Sequence, residues 1–248
     1  MERPLDGKVV LVTGGARRVG ACIARTLHAA GARVAIHHRR PGADADALLQ
    51  SLEALRPGSA CLLQGDLLDT AGLPRLVEAT LSGFGRLDIL VNNASSFYPT
   101  PLGSVTTAQW DDLIGTNLKA PLFLSQAAIP ALQRSDGLIL NIVDIHGQRP
   151  LKSFPVYSAA KAGLIMLTQA LARDLGPRIR VNAIAPGPVM FPDEGLDETK
   201  KTEIIDRTLL KRRGSPEDIA RAALFFAAHA PYVTGQVLAV DGGRSIHG

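Results

Sequence analysis

The chain has 248 residues, of which 46% are hydrophobic and 20% charged, with a formal net charge of +4. That balance belongs to a folded globular protein and excludes a disordered chain, and its basic clusters (Arg17-Arg18, His37-His38-Arg39-Arg40, Lys211-Arg212-Arg213) are too short and dispersed for a nucleic-acid stripe. No apolar run approaches a membrane span, the opening MERPLDGK lacks an apolar signal core, and Cys22 and Cys61 have no metal-ligand spacing, so the expectation is a cytoplasmic protein with two reduced core thiols and no metal, membrane or nucleic-acid partner.

In chain order, residues 8–12 (KVVLV) form a β-branched run that ends in Thr13-Gly14-Gly15, the pattern of a buried strand entering a tight turn. A helix is predicted over 19–30 with Gly31 as its stop, then a strand over 33–37, a helix over 44–55, a strand over 60–64 and a helix over 70–84. Residues 87–91 give the fourth strand, ending at Asn92-Asn93-Ala94, and 107–133 a long helix bent near Pro121. A fifth strand over 138–143 precedes a helix reaching about residue 175, and 178–184 is a sixth strand ending at Pro186-Gly187-Pro188. Residues 189–213 are polar and only weakly helical, which suits a mobile flap; Met190 and Phe191 lie in it. Ser215 is placed to cap a helix over 216–228, and 237–240 is a last strand before Asp241-Gly242-Gly243. Strands alternating with helices, with no repeat or linker between them, predict an α/β fold: one doubly wound parallel sheet with helices on both faces, a single domain over 1–248. Ligands of such sheets sit at the carboxyl ends of the strands.

The first of those ends reads Thr13-Gly14-Gly15-Ala16-Arg17-Arg18-Val19-Gly20. Small residues there let backbone approach a pyrophosphate, and the following helix N-terminus supplies N–H donors. After the second strand an NAD site needs a carboxylate for the ribose 2′-hydroxyl. This chain has His38, Arg39 and Arg40 instead, and guanidinium groups pair with phosphate, so NADPH is the expected cofactor, with Arg17 available from the neighbouring turn. Asp66, after the third strand, is suited either to accept from an adenine amino group or to serve a helix N-terminus.

Residues 141–163 carry the reactive groups. Asp144 leaves the fifth strand, and Tyr157 and Lys161 follow at i, i+4 on one helical face, a phenol beside an ammonium where a proton can be moved. An ionised carboxylate only accepts hydrogen bonds, so Asp144 suits an N–H-bearing substrate edge better than a ketone oxygen. It also opposes phenolate formation at Tyr157, against the effect of Lys161. His146 reads as a loop or pocket-rim residue, and Trp110 as packing.

Together, Thr13 to Gly20, Asn92-Asn93-Ala94, Asn117, Tyr157-x-x-x-Lys161, Pro186-Gly187 and Asp241-Gly242-Gly243 resemble the short-chain dehydrogenase/reductase family over essentially the whole length. Arg18 in place of a third glycine, Asp144 in place of a serine, and the run NNASSFYPTPL from Asn92 to Leu102 are similar to its pteridine reductase branch. The resemblance implies that Tyr157 donates a proton, that Lys161 holds the nicotinamide ribose and lowers the tyrosine pKa, and that Asn117 supports a relay water. It implies cofactor contacts from Gly14, Arg17, Arg18, Val19, His38, Arg39, Arg40, Asp66, Leu67, Asn93, Ala94, Ser95, Asn117, Tyr157, Lys161, Pro186, Gly187 and Val189. Phe97 is expected to stack on a pterin, with Arg18, Ser95, Asp144 and Tyr157 around it. Pro41 stands where the branch often has a serine for the 2′-phosphate. A homotetramer is implied through the helices 107–133 and 156–175, whose small residues Ala159, Ala160 and Ala170 allow close packing. The expected reaction is NADPH-dependent reduction of a pterin or folate; a general NADPH carbonyl or 3-oxoacyl reductase and a non-catalytic NADP(H) sensor are the alternatives.

Overall fold

The computed structural model describes residues 3–190 and 197–246. Strand β1 (Val9–Val12) is buried along its whole length, and its side chains alternate between two cores. Val10 and Val12 pack with Ile23 and Leu27 of α1 (Arg18–Ala29), Leu48 and Leu52 of α2 (Ala43–Leu55), and Ile219 and Ala223 of α8 (Pro216–Leu224). Val9 and Leu11 face the opposite core, with Leu76 of α3 (Leu73–Phe84), Leu124 and Ala128 of α5 (Ala120–Ser135), and Ala172 of α6 (Pro155–Leu175). A period-two strand apolar on both faces needs a helix layer on each, which fixes the three-layer architecture.

The sheet has seven parallel strands in the order β3-β2-β1-β4-β5-β6-β7, built from β1, β2 (Arg33–His38), β3 (Ala60–Gln64), β4 (Ile89–Asn92), β5 (Leu138–Ile142), β6 (Arg180–Pro186) and β7 (Val237–Val240). Strand order reverses between β1 and β4, and the splayed crossovers leave a crevice there. Below it, Asn92 Nδ2 donates to Asn141 Oδ1 at 2.8 Å and Asn141 Nδ2 to Thr168 Oγ1 at 2.9 Å, locking the ends of β4 and β5 to α6.

Three expectations are refined. The predicted 107–133 helix is α4 (Thr107–Ile114) and α5, joined by a π turn over Gly115–Lys119. Pro121 has no N–H for the Asn117 carbonyl four residues earlier, and the chain widens there instead of bending smoothly. The predicted 216–228 helix is α8 followed by a second π turn, Phe225–His229; Ser215 caps it through a reciprocal box with Asp218. Within 189–213, α7 (Glu198–Asp206) is a two-turn helix with no buried residue, while Phe191 lies outside the described residues. The foot of this segment is fixed, because Leu209 and Leu210 N–H donate to Gly242 O at 2.8 and 3.1 Å.

Of the three small residues singled out on α6, Ala160 is fully buried, and Ala159 and Ala170 are exposed. Trp110 is half exposed rather than packed inside. Cys22 and Cys61 are free thiols, both pushed up to about 11, chiefly by burial, so neither is a reactive thiolate at neutral pH. Among the described residues no helix is long and apolar enough to cross a membrane.

Candidate active site

A cleft of about 1530 Å³ runs over the carboxyl ends of the strands. Every residue predicted for the cofactor, substrate or proton transfer lines it except Asn117.

At the β1 end, Gly14 has φ +57°, and a Cβ on Gly20 would fall 2.2 Å from Gly14 O and 2.5 Å from Asn93 Nδ2. Only glycine permits that approach of turn, helix and β4 end. Asn93 clamps the turn, its Nδ2 donating to Thr13 O at 2.9 Å and Gly14 O at 3.1 Å, while Thr13 Oγ1 accepts from the Asn93 and Ala94 N–H groups. Arg18, in the position of the missing glycine, also has a positive φ, +52°. An L-residue there costs on the order of 1 kcal/mol in backbone strain, so the guanidinium is held at the cleft at the expense of local stability.

His37 departs from its reading as one of a basic cluster. It is buried, its Nδ1 accepts from Gly14 N–H at 3.2 Å, and its Nε2 lies 3.1 Å from Gly65 O. An Nδ1 that accepts from an amide carries no proton, so the ring is the neutral Nε2–H tautomer, joining the β1 and β3 turns. Burial is the main cause that depresses its pKa from 6.5 to about 4. The unfolded chain then takes up a proton below about pH 6.5 that the folded chain refuses until about pH 4. Stability is accordingly full above 6.5 and falls as pH drops through this window, by up to about 3 kcal/mol. Denaturant unfolding at pH 7 and pH 4 should show that His37→Asn loses this part of the pH dependence; an unchanged dependence refutes the assignment.

The basic character of the β2 end rests on His38, Arg39 and Arg40. Arg39 Nε donates to Asp66 Oδ2 at 3.0 Å, and Asp66 Oδ1 accepts from Leu68 N–H at 3.0 Å. Asp66 therefore orients Arg39 and is not a helix cap; α3 begins later, at Leu73. Arg17 approaches Asp44 at 3.8 Å.

At the β5 end, Tyr157 Oη donates to Asp144 Oδ2 at 2.7 Å, and Asp144 Oδ1 accepts from His146 N–H at 2.8 Å. Asp144 thus caps a short turn, Ile145–Gly147, with one oxygen and holds the phenol with the other. His146 is the rim residue expected from the sequence. Tyr157 is only 4% exposed. Burial first, and the Asp144 carboxylate second, hold its pKa well above the usual value. The expectation that Lys161 lowers it is therefore corrected. Lys161 is itself fully buried, desolvation brings its ammonium down to about 8, and its Nζ donates to Ile142 O at 2.9 Å. Its Nζ lies 5.7 Å from the centroid of the Tyr157 ring, so the i, i+4 pair meets as expected.

The Asn117 side chain does not line the cleft. It is 1% exposed, and its amide is spent within the protein: Nδ2 donates to Ser96 O and Leu113 O, and Oδ1 accepts from Ser95 Oγ at 2.6 Å. It positions the Ser95-Ser96 loop from behind. Phe97 is 45% exposed at the cleft, stacked on Phe154 at 4.7 Å and edge-on to Tyr157 at 4.8 Å. Phe154, Thr116, Ile204 and Arg244 also line the cleft, although no motif marks them. The signal for Phe154 is its position beside Pro155, where an aromatic at the mouth of the Tyr157 helix meets whatever enters it.

The family described as Enoyl-(Acyl carrier protein) reductase matches residues 14–245. This chain is a short-chain dehydrogenase/reductase. Among curated members of the family, Pteridine reductase 1 of Leishmania tarentolae is 36% identical over 96% of each chain. The 3-oxoacyl-[acyl-carrier-protein] reductase FabG of Thermotoga maritima is 35% identical over 98% of this chain and 99% of its own. A solved structure, that of a blue fluorescent protein from a metagenomic library in complex with NADPH, superimposes with a TM-score of 0.91 at 37% identity, over 97% of this chain and 99% of that one. The chain is an oxidoreductase of this family; near-equal identities to a pterin and an acyl-thioester reductase leave the substrate to the site itself.

Proposed function

We propose that the protein is an NADPH-dependent pteridine reductase. The observation that carries this reading is the Tyr157–Asp144 hydrogen bond at 2.7 Å: a neutral phenol and an acceptor-only carboxylate together face the substrate position. An aminopterin edge offers N–H donors for the carboxylate and a ring nitrogen for the phenol's proton, whereas a ketone offers only an acceptor.

The cofactor end fits a phosphorylated dinucleotide. Gly14 and Gly20 leave room for pyrophosphate against the N-terminus of α1, while Arg39, braced by Asp66, and Arg40 offer cations to a 2′-phosphate without the serine that Pro41 replaces. NADPH supplies the hydride when bound. Tyr157 delivers the proton, Asp144 holds the phenol and the ring edge, and Lys161, with three ammonium donors of which Ile142 O takes one, is available to a ribose hydroxyl. Phe97, backed by Phe154, presents an aromatic face to a planar ring.

NADPH oxidation measured with dihydrobiopterin, dihydromonapterin and dihydrofolate tests the assignment, and background rates with all three overturn it. In the same assay Phe97→Ala should raise KM for the pterin about tenfold while leaving KM for NADPH unchanged. Equal KM values for variant and parent would exclude stacking.

A further inference from the structure

The wall of the cleft farthest from the adenosine end plays no part in the chemistry above. Met190, Ile204 of α7 and Arg244, four residues beyond β7, contribute to it. The turn carrying Arg244 is fixed on all sides. The Asp241 carboxylate accepts from Gly243 N–H at 2.9 Å and Ser245 N–H at 2.7 Å, Gly242 O holds the foot of the flap segment, and Gly187 N–H donates to Val240 O at 3.1 Å. Each Asp241 oxygen is thus engaged by a backbone N–H, and the carboxylate acts on Arg244 only through space. Among the described residues the Arg244 side chain makes no hydrogen bond or ion pair. It is partly buried, and that burial, reinforced by Arg207, works against its charge. A guanidinium stays protonated regardless, so this corner holds a positive charge with no hydrogen-bonded carboxylate among the described residues.

Strand order says what that charge cannot serve. Arg39 and Arg40 follow β2, five strand spacings from β7, roughly 24 Å across the sheet. The 2′-phosphate end is therefore elsewhere. Asp144 and the Tyr157 helix follow β5, two spacings from β7, roughly 10 Å. A ring held at Tyr157 does not span that distance; a tail running past Met190 and Ile204 does.

We propose that Arg244 closes the substrate site with an anion subsite and takes a carboxylate carried on the substrate's tail, so that a folate-type pterin is preferred over one with a short neutral side chain. This rests on the pterin reading above. Steady-state kinetics with dihydrofolate and dihydrobiopterin, for the parent enzyme and Arg244→Gln, test it. Arg244→Gln should raise KM for dihydrofolate about tenfold or more, with the effect confined to the anionic substrate and the melting temperature retained; Arg244→Lys should recover part of the loss. Equal changes for both pterins, no change for dihydrofolate, or a raised KM for NADPH overturns the subsite while leaving the pterin reading standing. A parent enzyme that turns over neither pterin overturns the pterin reading, and the subsite with it.

Discussion

Tyr157→Phe is expected to lower kcat for a dihydropterin roughly a thousandfold while changing KM and the melting temperature little. A positioned general acid contributes about 10²–10⁴ in rate. Burial and the Asp144 carboxylate both disfavour the phenolate, so Tyr157 remains a proton donor through neutral and alkaline pH, and Lys161 loses its proton first, at about 8. The loss should therefore appear as a uniform drop in kcat from pH 6 to 7.5. Folding should tolerate the change, because Asp144 keeps the bond from His146 N–H and is partly open to water. Stopped-flow or steady-state rates within tenfold of the parent would remove Tyr157 from the proton-transfer step.

The second large effect is expected at Asp144. Asp144→Ser should cost a pterin substrate about a hundredfold in kcat/KM, the worth of a charge-assisted hydrogen bond of about 2–3 kcal/mol. The same change should improve reduction of a simple ketone. Serine brings an O–H that donates to a carbonyl oxygen, and it removes the negative charge that keeps Tyr157 protonated most strongly after burial. The two activities should move in opposite directions in one preparation, which global damage to the fold does not produce. A pterin rate unaffected by serine would favour the ketone reductase reading, and a parallel loss of both would remove Asp144 from substrate selection.

Much of the molecule is legible in the amino-acid sequence, because the signals are local. Alternating β-branched runs and capped helices set the order of elements, and the i, i+4 spacing puts Tyr157 and Lys161 on one face of α6. The Gly14 and Gly20 positions, and the β2 end that carries cations where a carboxylate would select NAD, are likewise written within windows of a few residues.

What is not legible there depends on which strand ends meet. His37 sits within a run of four basic-looking residues, yet contacts with Gly14 and Gly65, 23 and 28 positions away, make it a buried neutral staple. Lys161 is expected from the family resemblance to set the acidity of Tyr157, but acidity follows the charge nearest the oxygen. The fold puts Asp144 at 2.7 Å from that oxygen and draws the ammonium towards the Ile142 carbonyl. The Asn117 side chain, on the π turn before Pro121, is taken up by the Ser95 loop. Phe154 and Arg244 have no motif of their own and join the cleft because β5 and β7 end on the same side of one parallel sheet. The sequence by itself determined the order of elements and set Tyr157 and Lys161 on one helical face, since periodicity and spacing encode those, and its motifs carried the resemblance to the family. Tertiary structure alone decided how those side chains are charged and which neighbours they have, since desolvation and Coulomb forces act across space and not along the chain.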